Sequence, residues 1–537
     1  MRIKPRAGRI AQSNRGEVSI GRQQVSQPMQ FPAPTGGLVT TADLASQAAG
    51  NACVLTNWFP TLKGARIRGG YKAHGLTADG KDIVSAFRYK YGTTERMFVA
   101  TATAIFDMTA PAAPPATTAA AVSGLTGGDW CTFQHTNAGV SYLVALNGSD
   151  TRRLFDGASW TTTPAITFSD STTMAQLNYG WLFANREWFI KNSSLDAYYI
   201  GVAAFGGAAT VFPLGGVMRK GGSLLTGFSW SLETGDGTNE YCVFVSTEGE
   251  VAIYAGTDPS SSSTWALQGV YQIGKPLGKN AWVRAGGDVL IATTDGLTPM
   301  SQVFQRDRES LSLVSASRPI EDDWRTAAIS TSTGWTLKLW PEENLLFVSF
   351  PRNVAVTDTT FVMNSLTGKW AIIKNWQGLA YECLQGGVFF GSTGGKVWRG
   401  DITGSDNGMS FSASYLAQFR PTQFGERANA SMASMYFLGS VKPNVLLFAR
   451  ADENRSVPNM NTVSSVNAAG STWDAGLWDS AIWDGVSQKN RYRFRQNVRA
   501  SGDLMAVGCV ITSSGDTKLD IEVDLGLLQV SPGEMSA

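Results

Sequence analysis

Histidine is scarce in this chain, and the catalytic and metal-binding patterns built on it are missing. The 537 residues include only two histidines, His74 and His135. Neither has a histidine, cysteine or carboxylate at the spacing typical of a zinc site or a catalytic triad. The sequence also contains no P-loop and no G-x-G-x-x-G fingerprint. We therefore expect no metal and no cofactor, and we predict a protein that is not an enzyme.

Cysteine is also rare, and its spacing argues against disulfides. The five cysteines are odd in number, lie far apart and form no C-x-x-C pair. Most lie in apolar runs, so we expect buried thiols at Cys53, Cys131, Cys242, Cys383 and Cys509. No apolar run approaches the ~18 residues of a membrane span. No apolar signal-peptide core follows the basic N-terminus, so we expect synthesis in the cytoplasm.

Charge is low for a chain of this size. Charged residues make up 16% and the formal net charge is +1, whereas soluble domains average about 25% charged residues. A balanced charge excludes a globally basic protein that binds nucleic acid by neutralising many phosphates. The 58 glycines and the low charge favour tight turns and extensive contacts between subunits.

A recurring hairpin pattern occupies residues 76–405. Each repeat is an apolar β-rich run, a turn with Gly, Asn or Asp, and a second run. The runs begin at Met97, Tyr142, Trp181, Cys242, Val289, Leu345 and Val388. Repeats of roughly 40–50 residues made of hairpins are typical of β-propeller blades. We predict an all-β protein with a propeller of six or seven blades; a pair of β-sandwiches with long loops is the alternative.

Three further segments flank the predicted propeller. Residues 1–36 are polar and basic, and we interpret them as an extended arm that becomes ordered only against a partner. Residues 37–75 predict a short helix over 42–49 and strands that lead into the propeller. Residues 406–537 predict a C-terminal β-rich domain that contains tryptophan.

The arm and the C-terminal domain contain the candidate contact residues. For the arm we expect docking on an adjacent subunit or an adaptor rather than on DNA, through Arg2, Lys4, Arg6, Arg9 and Arg15. In the C-terminal domain the indoles are expected to insert into a core or a neighbouring subunit, at Trp473, Trp478 and Trp483.

Two C-terminal strands have polar residues at every second position. Arg491, Arg493 and Arg495 alternate with aromatic residues, and residues 518–525 alternate acidic with apolar residues. Ion pairing between the two strands is one interpretation. The other interpretation is that the arginines line a path for DNA.

Several stretches, taken in order, resemble the tail-nozzle proteins of short-tailed phages, the group that includes tail tubular protein B and packaged-DNA stabilisation proteins. The resemblance spans about 250 residues. It is carried by Asn57–Tyr71 (NWFPTLKGARIRGGY), Phe183–Tyr199 (FANREWFIKNSSLDAYY), Glu248–Trp265 with Gly269, Gly274–Gly278 (GKPLG) and Gly286–Leu297.

This resemblance implies a structural virion protein in the phage tail. It implies a homohexameric nozzle that retains packaged DNA, guides its ejection and anchors tail fibres or tailspikes. The implied partners are other copies of the chain, a head–tail adaptor, a fibre or spike protein, and double-stranded DNA that passes without sequence specificity. The family offers no catalytic residue and no small-molecule substrate.

Two other functions remain open. Aromatic residues make up 11% of the chain, and exposed aromatic rings stack on sugars, so a receptor- or polysaccharide-binding tail propeller is the alternative. A capsule depolymerase would need two carboxylates in one pocket. The adjacent pairs Asp322-Asp323 and Glu342-Glu343 would point in different directions, which disfavours that function.

Overall fold

The computed structural model describes residues 26–41, 48–233, 238–351, 358–376, 378–422, 427–460, 462–465 and 489–532. Within these ranges most of the chain is β-strand. The predicted helix over 42–49 falls largely outside them, and the described residues 48–50 form a turn. No helix in these ranges is long and apolar enough to cross a bilayer.

Within the described ranges, seven groups of strands follow one another along the middle of the chain, and we name them unit 1 to unit 7. Unit 6 is part of a larger sheet, and the other six units are separate small sheets. The first four each have four strands in meander order. Unit 1 comprises Ser85–Tyr91, Thr94–Ala100, Ala104–Asp107 and Ala120–Ser123; unit 2 comprises Cys131–Asn137, Val140–Leu146, Arg153–Phe155 and Trp160–Thr161. Unit 3 comprises Leu177–Phe183, Arg186–Lys191, Asp196–Tyr199 and Thr210–Pro213; unit 4 comprises Leu224–Glu233, Thr238–Ser246, Glu250–Gly256 and Trp265–Gln272.

The last three units differ in how they are completed. Unit 5 has three strands, Trp282–Ala285, Asp288–Thr293 and Gly296–Pro299; unit 6 has Thr336–Trp340, Leu345–Ser349, Thr359–Asn364 and Lys369–Lys374. Unit 7 contains Ala380–Leu384, Gly387–Gly391 and Lys396–Thr403, and its fourth strand is Gly70–Leu76 from the N-terminal side. Short helices between units 5 and 6 cover Met300–Val303, Arg308–Leu311, Ser312–Val314, Arg318–Ile320 and Glu321–Ser330. Other short elements are Met174–Gln176, Thr393–Gly395 and the parallel pair Ile166–Thr167 with Gly207–Ala208.

The units close into a ring. Strand Gly70–Leu76 pairs with Lys396–Thr403 of unit 7, so the chain's early and late strands share one sheet. Unit 7 also packs on unit 1, where Phe389 and Val397 share a core with Met97 and Val99. A meander sheet cannot bury both faces alone, and the ring lets each sheet pack between two neighbours. The all-β prediction with a β-propeller is confirmed.

Separate apolar cores lie between neighbouring units. Aromatic residues dominate several of them: Trp181, Trp188 and Trp265 lie between units 3 and 4. Phe347, Tyr381 and Trp376 fill the space between units 6 and 7, with the rings of Phe347 and Tyr381 5.0 Å apart and nearly parallel. These flat side chains suit sheets that pack face to face.

The five cysteines lie in these cores and in the outer body described next. All are buried, and none forms a disulfide. Burial raises the pKa of Cys131 to about 11 and that of Cys383 to about 12, so both thiols stay protonated at neutral pH. The sequence-based prediction of buried thiols is confirmed.

A second body, which we call the outer body, combines N-terminal and C-terminal strands. Its outer sheet contains Gln27–Pro32, Trp58–Pro60, Ala65–Ile67, Ala428–Gly439, Asn490–Gly502 and Ile521–Pro532. Its other strands are Gly37–Leu38, Asn51–Thr56, Phe411–Ala417, Arg420–Pro421, Leu446–Ala451, Val463–Ser465 and Leu504–Ser514. These continue the sheet of unit 6, because Asn51–Thr56 bridges to Lys369–Lys374 in parallel and pairs with Phe411–Ala417 in antiparallel. The segment 37–75 is thus divided between the outer body and unit 7.

The prediction for the arm is wrong for its last residues. Strand Gln27–Pro32 pairs antiparallel with Ile521–Pro532 of the same chain. Met29 and Phe31 are buried in the core of the outer body. Alternate apolar residues supply one buried face of an edge strand, and Pro28 and Pro32 are tolerated there because an edge strand needs fewer backbone donors. These residues are therefore ordered by their own chain and need no partner.

A buried carboxylate ties the propeller to the outer body. Asp401, on strand Lys396–Thr403 of unit 7, accepts hydrogen bonds from both terminal nitrogens of Arg66 at 3.2 and 3.1 Å and from Lys518 at 3.0 Å. The backbone N–H of Gly69 donates to the same carboxylate at 2.6 Å. Burial alone would raise the pKa of Asp401, but Arg66 and Lys518 outweigh it and hold the pKa below its ordinary value of 3.8.

Asp401→Asn should lower the free energy of unfolding at pH 7 by about 2 kcal/mol, because Arg66 loses its buried partner and keeps only the partly exposed Glu343. A carboxyl with a lowered pKa in the folded state stabilises the fold above its unfolded pKa, and this stability is lost as the pH falls through the folded pKa. The difference between the wild type and Asp401→Asn should therefore shrink below pH 3.8. Urea denaturation from pH 7 downwards measures it. A difference that stays constant across this range would contradict the role given to the ionised carboxylate.

Candidate interaction surface

The outer sheet has one buried and one exposed face. Strand Asn490–Gly502 pairs with Ala428–Gly439, which in turn pairs with Ile521–Pro532. Met435, Phe437, Ile521 and Val523 point into the core. The alternate residues of all three strands share the other face.

Arginine occupies every second position over part of the exposed face. Arg491, Arg493, Arg495 and Arg499 are exposed, and each lies an even number of residues from the next. Strand geometry places alternate side chains about 7 Å apart. On the neighbouring strand, Tyr436 lies under this row, with its ring centre 4.4 Å from the guanidinium of Arg491 and 5.3 Å from that of Arg493. We call this surface the arginine face.

One end of the arginine face is neutralised by acidic residues of strand Ile521–Pro532. Arg491 donates to Asp524 at 2.6 Å. Lys489 binds Glu522 at 2.7 Å and Asp520 at 2.9 Å. The interpretation as ion pairs is therefore confirmed for Arg491. The two charged strands are not neighbours, since Ala428–Gly439 lies between them and the long side chains reach across it.

The other end of the arginine face keeps its positive charge. In the described ranges no carboxylate lies within ion-pair distance of Arg493, Arg495 or Arg499. Half-buried Met432, Leu525 and Leu527 lie on the same face. A surface that mixes arginine with apolar side chains is typical of contact sites for other macromolecules. Whether arginines 491, 493 and 495 line a DNA path stays a prediction.

The other predicted contact residues fall outside the described ranges. These are Arg2, Lys4, Arg6, Arg9 and Arg15 of the arm, and Trp473, Trp478 and Trp483 of the C-terminal domain. Sequence reasoning missed Tyr436 and Lys489, which complete the arginine face. Tyr436 lies on the strand between the two charged strands, and this position depends on long-range pairing.

The two histidines and the acidic pairs are placed as follows. Nε2 of His74 lies 2.8 Å from the carbonyl oxygen of Met108, and burial lowers the pKa of this histidine. His135 is fully buried beside Glu187.

Asp322 and Asp323 lie in the first turn of helix Glu321–Ser330, and Glu343 forms an ion pair with Arg66 at 3.0 Å. Within the described ranges no group of three or more His, Cys, Asp and Glu residues could hold a metal ion.

Solved structures that are similar to this chain include three that are described below. No protein-family model and no curated protein matches the chain. The β-propeller domain of Myceliophteria thermophila Cps50 (Swd1) is 9% identical with a TM-score of 0.35, over 62% of this chain and 100% of that one. BBS1N in complex with ARL6DN is 8% identical with a TM-score of 0.38, over 63% and 96%. YCF48 bound to D1 peptide is 11% identical with a TM-score of 0.34, over 62% and 94%.

Proposed function

We propose that this chain is a structural subunit of the tail nozzle of a short-tailed phage. In this proposal six copies form a tube that retains packaged DNA, guides its ejection and anchors tail fibres or tailspikes. The chain would be made in the cytoplasm of the bacterial host and reside in the virion tail. The order of the resembling motifs, from Asn57 to Leu297, suggested this function.

The arginine face is the observation that supports the proposal most. Arg493, Arg495 and Arg499 keep a positive charge on a chain whose net charge is only +1. A row of exposed cations at regular spacing suits contact with DNA phosphates, which carry no sequence information. Because the cations are few, contact would be weak, as passage of DNA through a tube requires.

The junction between the two bodies also suits a mechanical part. The sheet of unit 6 continues into the outer body, and Asp401 joins unit 7 to Arg66 and Lys518. Continuous sheets and buried ion pairs resist relative motion of the two bodies. A rigid subunit of this kind can form the wall of a tube.

Assembly tests the proposal directly. The purified chain, mixed with a head–tail adaptor from the same phage, should give tubes with sixfold symmetry in electron micrographs. A glycan array run on the same preparation separates the alternative function. A chain that stays monomeric with its adaptor and binds a polysaccharide would refute the nozzle and support the receptor-binding propeller.

Charge reversal on the arginine face should affect DNA retention. Phage carrying Arg493→Glu and Arg495→Glu should lose packaged DNA on mild heating at least about tenfold more often than wild type, since phosphates would meet carboxylates. The matched control is Lys81→Glu with Lys396→Glu, which reverses two exposed charges on the propeller. Equal DNA loss from the two double variants would show that the arginine face does not contact DNA.

A further inference from the structure

The ring of units encloses a cavity that the proposed function leaves unused. The cavity has a volume of about 450 Å³. Its walls come from the first strands of units 1, 2, 3, 5, 6 and 7. This volume lies within the roughly 300–1,000 Å³ of small-molecule sites.

Charged side chains line the cavity on four successive units. Arg284 comes from unit 5, Lys338 from unit 6, Glu382 from unit 7 and Arg88 from unit 1. Glu382 pairs with Lys338 and Glu95 pairs with Arg88, so one net positive charge, that of Arg284, remains on this half of the wall. A concave surface with charge of one sign concentrates ligands of the opposite sign.

The single carboxylate among the described residues of the cavity wall is already neutralised. Glu382 is buried, and its two oxygens lie 2.6 and 2.7 Å from Nζ of Lys338. The backbone N–H of Cys383 donates to the same carboxylate at 2.9 Å. Arg88 pairs with Glu95, which lies on the second strand of unit 1, at 3.2 Å.

Arg284 is the cation that remains for a ligand. One terminal nitrogen of its guanidinium donates to the carbonyl oxygen of Ser229 at 2.6 Å and to the hydroxyl of the same serine at 2.5 Å. The other N–H groups make no hydrogen bond in the described part of the chain, where no carboxylate lies within ion-pair distance. Anchoring on unit 4 fixes the guanidinium in place, and its unused donors suit a planar, two-oxygen acceptor.

The opposite wall is uncharged and partly aromatic. Trp130, Thr132 and Tyr179 line it from units 2 and 3. Trp282 lies on the unit 5 strand that also carries Arg284, and its indole N–H donates to the hydroxyl of Tyr179 at 2.7 Å, which holds its half-buried ring at the cavity. A wall of this kind accepts the apolar body of a ligand whose anionic end meets the cations.

We infer that the central cavity of the propeller binds a small organic anion, an aromatic or cyclic carboxylate. Its carboxylate is held by Arg284, and its ring lies against Trp282. Lys338 and Arg88 add long-range attraction but remain paired with Glu382 and Glu95. The site is independent of the arginine face, which lies on the outer body.

Binding of benzoate to the purified full-length chain tests this inference. Calorimetry at low salt should show one site per chain, with a dissociation constant of about 1 mM or lower. Benzamide has the same shape without the charge and should bind at least about tenfold more weakly. Arg284→Gln should weaken benzoate binding by at least about tenfold, and Arg96→Gln, which changes a partly exposed arginine outside the cavity, should leave it unchanged.

Several results would overturn the inference. These are no heat of binding for benzoate up to about 10 mM, equal affinity for benzamide, or equal affinity in Arg284→Gln. Circular dichroism of Arg284→Gln checks that the variant is folded, and Thr132→Val offers a second test on the opposite wall, where a modest change in affinity is expected. Tube formation with the adaptor is measured on the same variants, so failure of the anion site and failure of the nozzle are distinguished.

Discussion

Arg68→Met is expected to lower the free energy of unfolding by about 3–5 kcal/mol, since it removes one partner of a buried ion pair. Arg68 is fully buried, and its guanidinium binds both oxygens of Asp406 at 2.8 and 2.7 Å. It also donates to Asn57 at 3.0 Å and to the carbonyl oxygen of Lys374 at 3.1 Å. One side chain thus joins the outer body, the last strand of unit 6 and the segment after unit 7.

The loss in free energy of unfolding caused by Arg68→Met should depend on pH and should be smaller at low pH. Burial raises the pKa of Asp406 even though Arg68 opposes it. Without Arg68 that pKa rises further, so the folded state binds a proton more readily than the unfolded state does. Stability of the variant then increases as the pH falls. Chemical denaturation at pH 7 and pH 5 should show a smaller deficit at the lower pH.

A surface ion pair provides the control for Arg68. Arg96 lies 3.6 Å from Asp107, with the two side chains 43% and 36% exposed. Arg96→Met should cost less than about 1 kcal/mol. The double variant Arg68→Met with Asp406→Asn should be more stable than Arg68→Met alone, because no buried charge is left without a partner. If Arg68→Met lowered the free energy of unfolding as little as Arg96→Met, the stabilising role given to the buried ion pair of Arg68 and Asp406 would be refuted.

The repeat was visible in sequence because of where its apolar runs lie. Seven residues were predicted to begin the apolar runs. Six of them lie on the second strand of a unit, for example Met97, Tyr142 and Leu345, and Trp181 lies on a first strand. Second strands are covered on both faces by neighbouring units, so they form continuous apolar runs. First strands line the cavity and include polar residues such as Ser85 and Arg88, which hides them from a search for apolar runs.

Features that depend on pairing between strands distant in sequence could not be predicted from the sequence. The fourth strand of unit 7 comes from Gly70–Leu76, and nothing local indicates that it pairs with residues more than 300 positions later. Helix Glu321–Ser330 was missed because a repeat of β-hairpins gives no indication of a helix between two of them. On the arginine face, alternation correctly placed the arginines opposite the aromatics. Tyr436 and the intervening strand required knowledge of sheet order.

A buried cluster between units 2 and 3 was likewise hidden by sequence distance. Nδ1 of His135 lies 2.7 Å from one oxygen of Glu187, and Arg152 lies 3.0 Å from the other. The carbonyl oxygen of Phe205 accepts a second hydrogen bond from Arg152. These side chains are at most 1% exposed. No residue close to His135 in sequence indicates this cluster, because its partners lie on other strands or loops.

Glu187→Gln should therefore lower the free energy of unfolding by about 3–5 kcal/mol, since a neutral amide leaves the buried guanidinium of Arg152 without a counter-charge. Burial already lowers the pKa of Arg152, and Glu187 is the group that opposes this effect. Urea denaturation at pH 7 measures the loss.

The neighbouring residue gives a matched control for Glu187→Gln. Arg186 pairs with Asp258 at 3.2 Å, and the aspartate is 41% exposed, so Arg186→Gln should cost less than about 1 kcal/mol. Replacing the whole cluster, with His135→Leu, Arg152→Met and Glu187→Leu, should restore part of the stability that Glu187→Gln loses, because apolar residues of similar size suit a site without water. If Glu187→Gln cost no more than Arg186→Gln, the ionised cluster would not be what holds unit 2 to unit 3. The aromatic and aliphatic core between the two units, which includes Val144, Phe189 and Tyr198, would then account for their association.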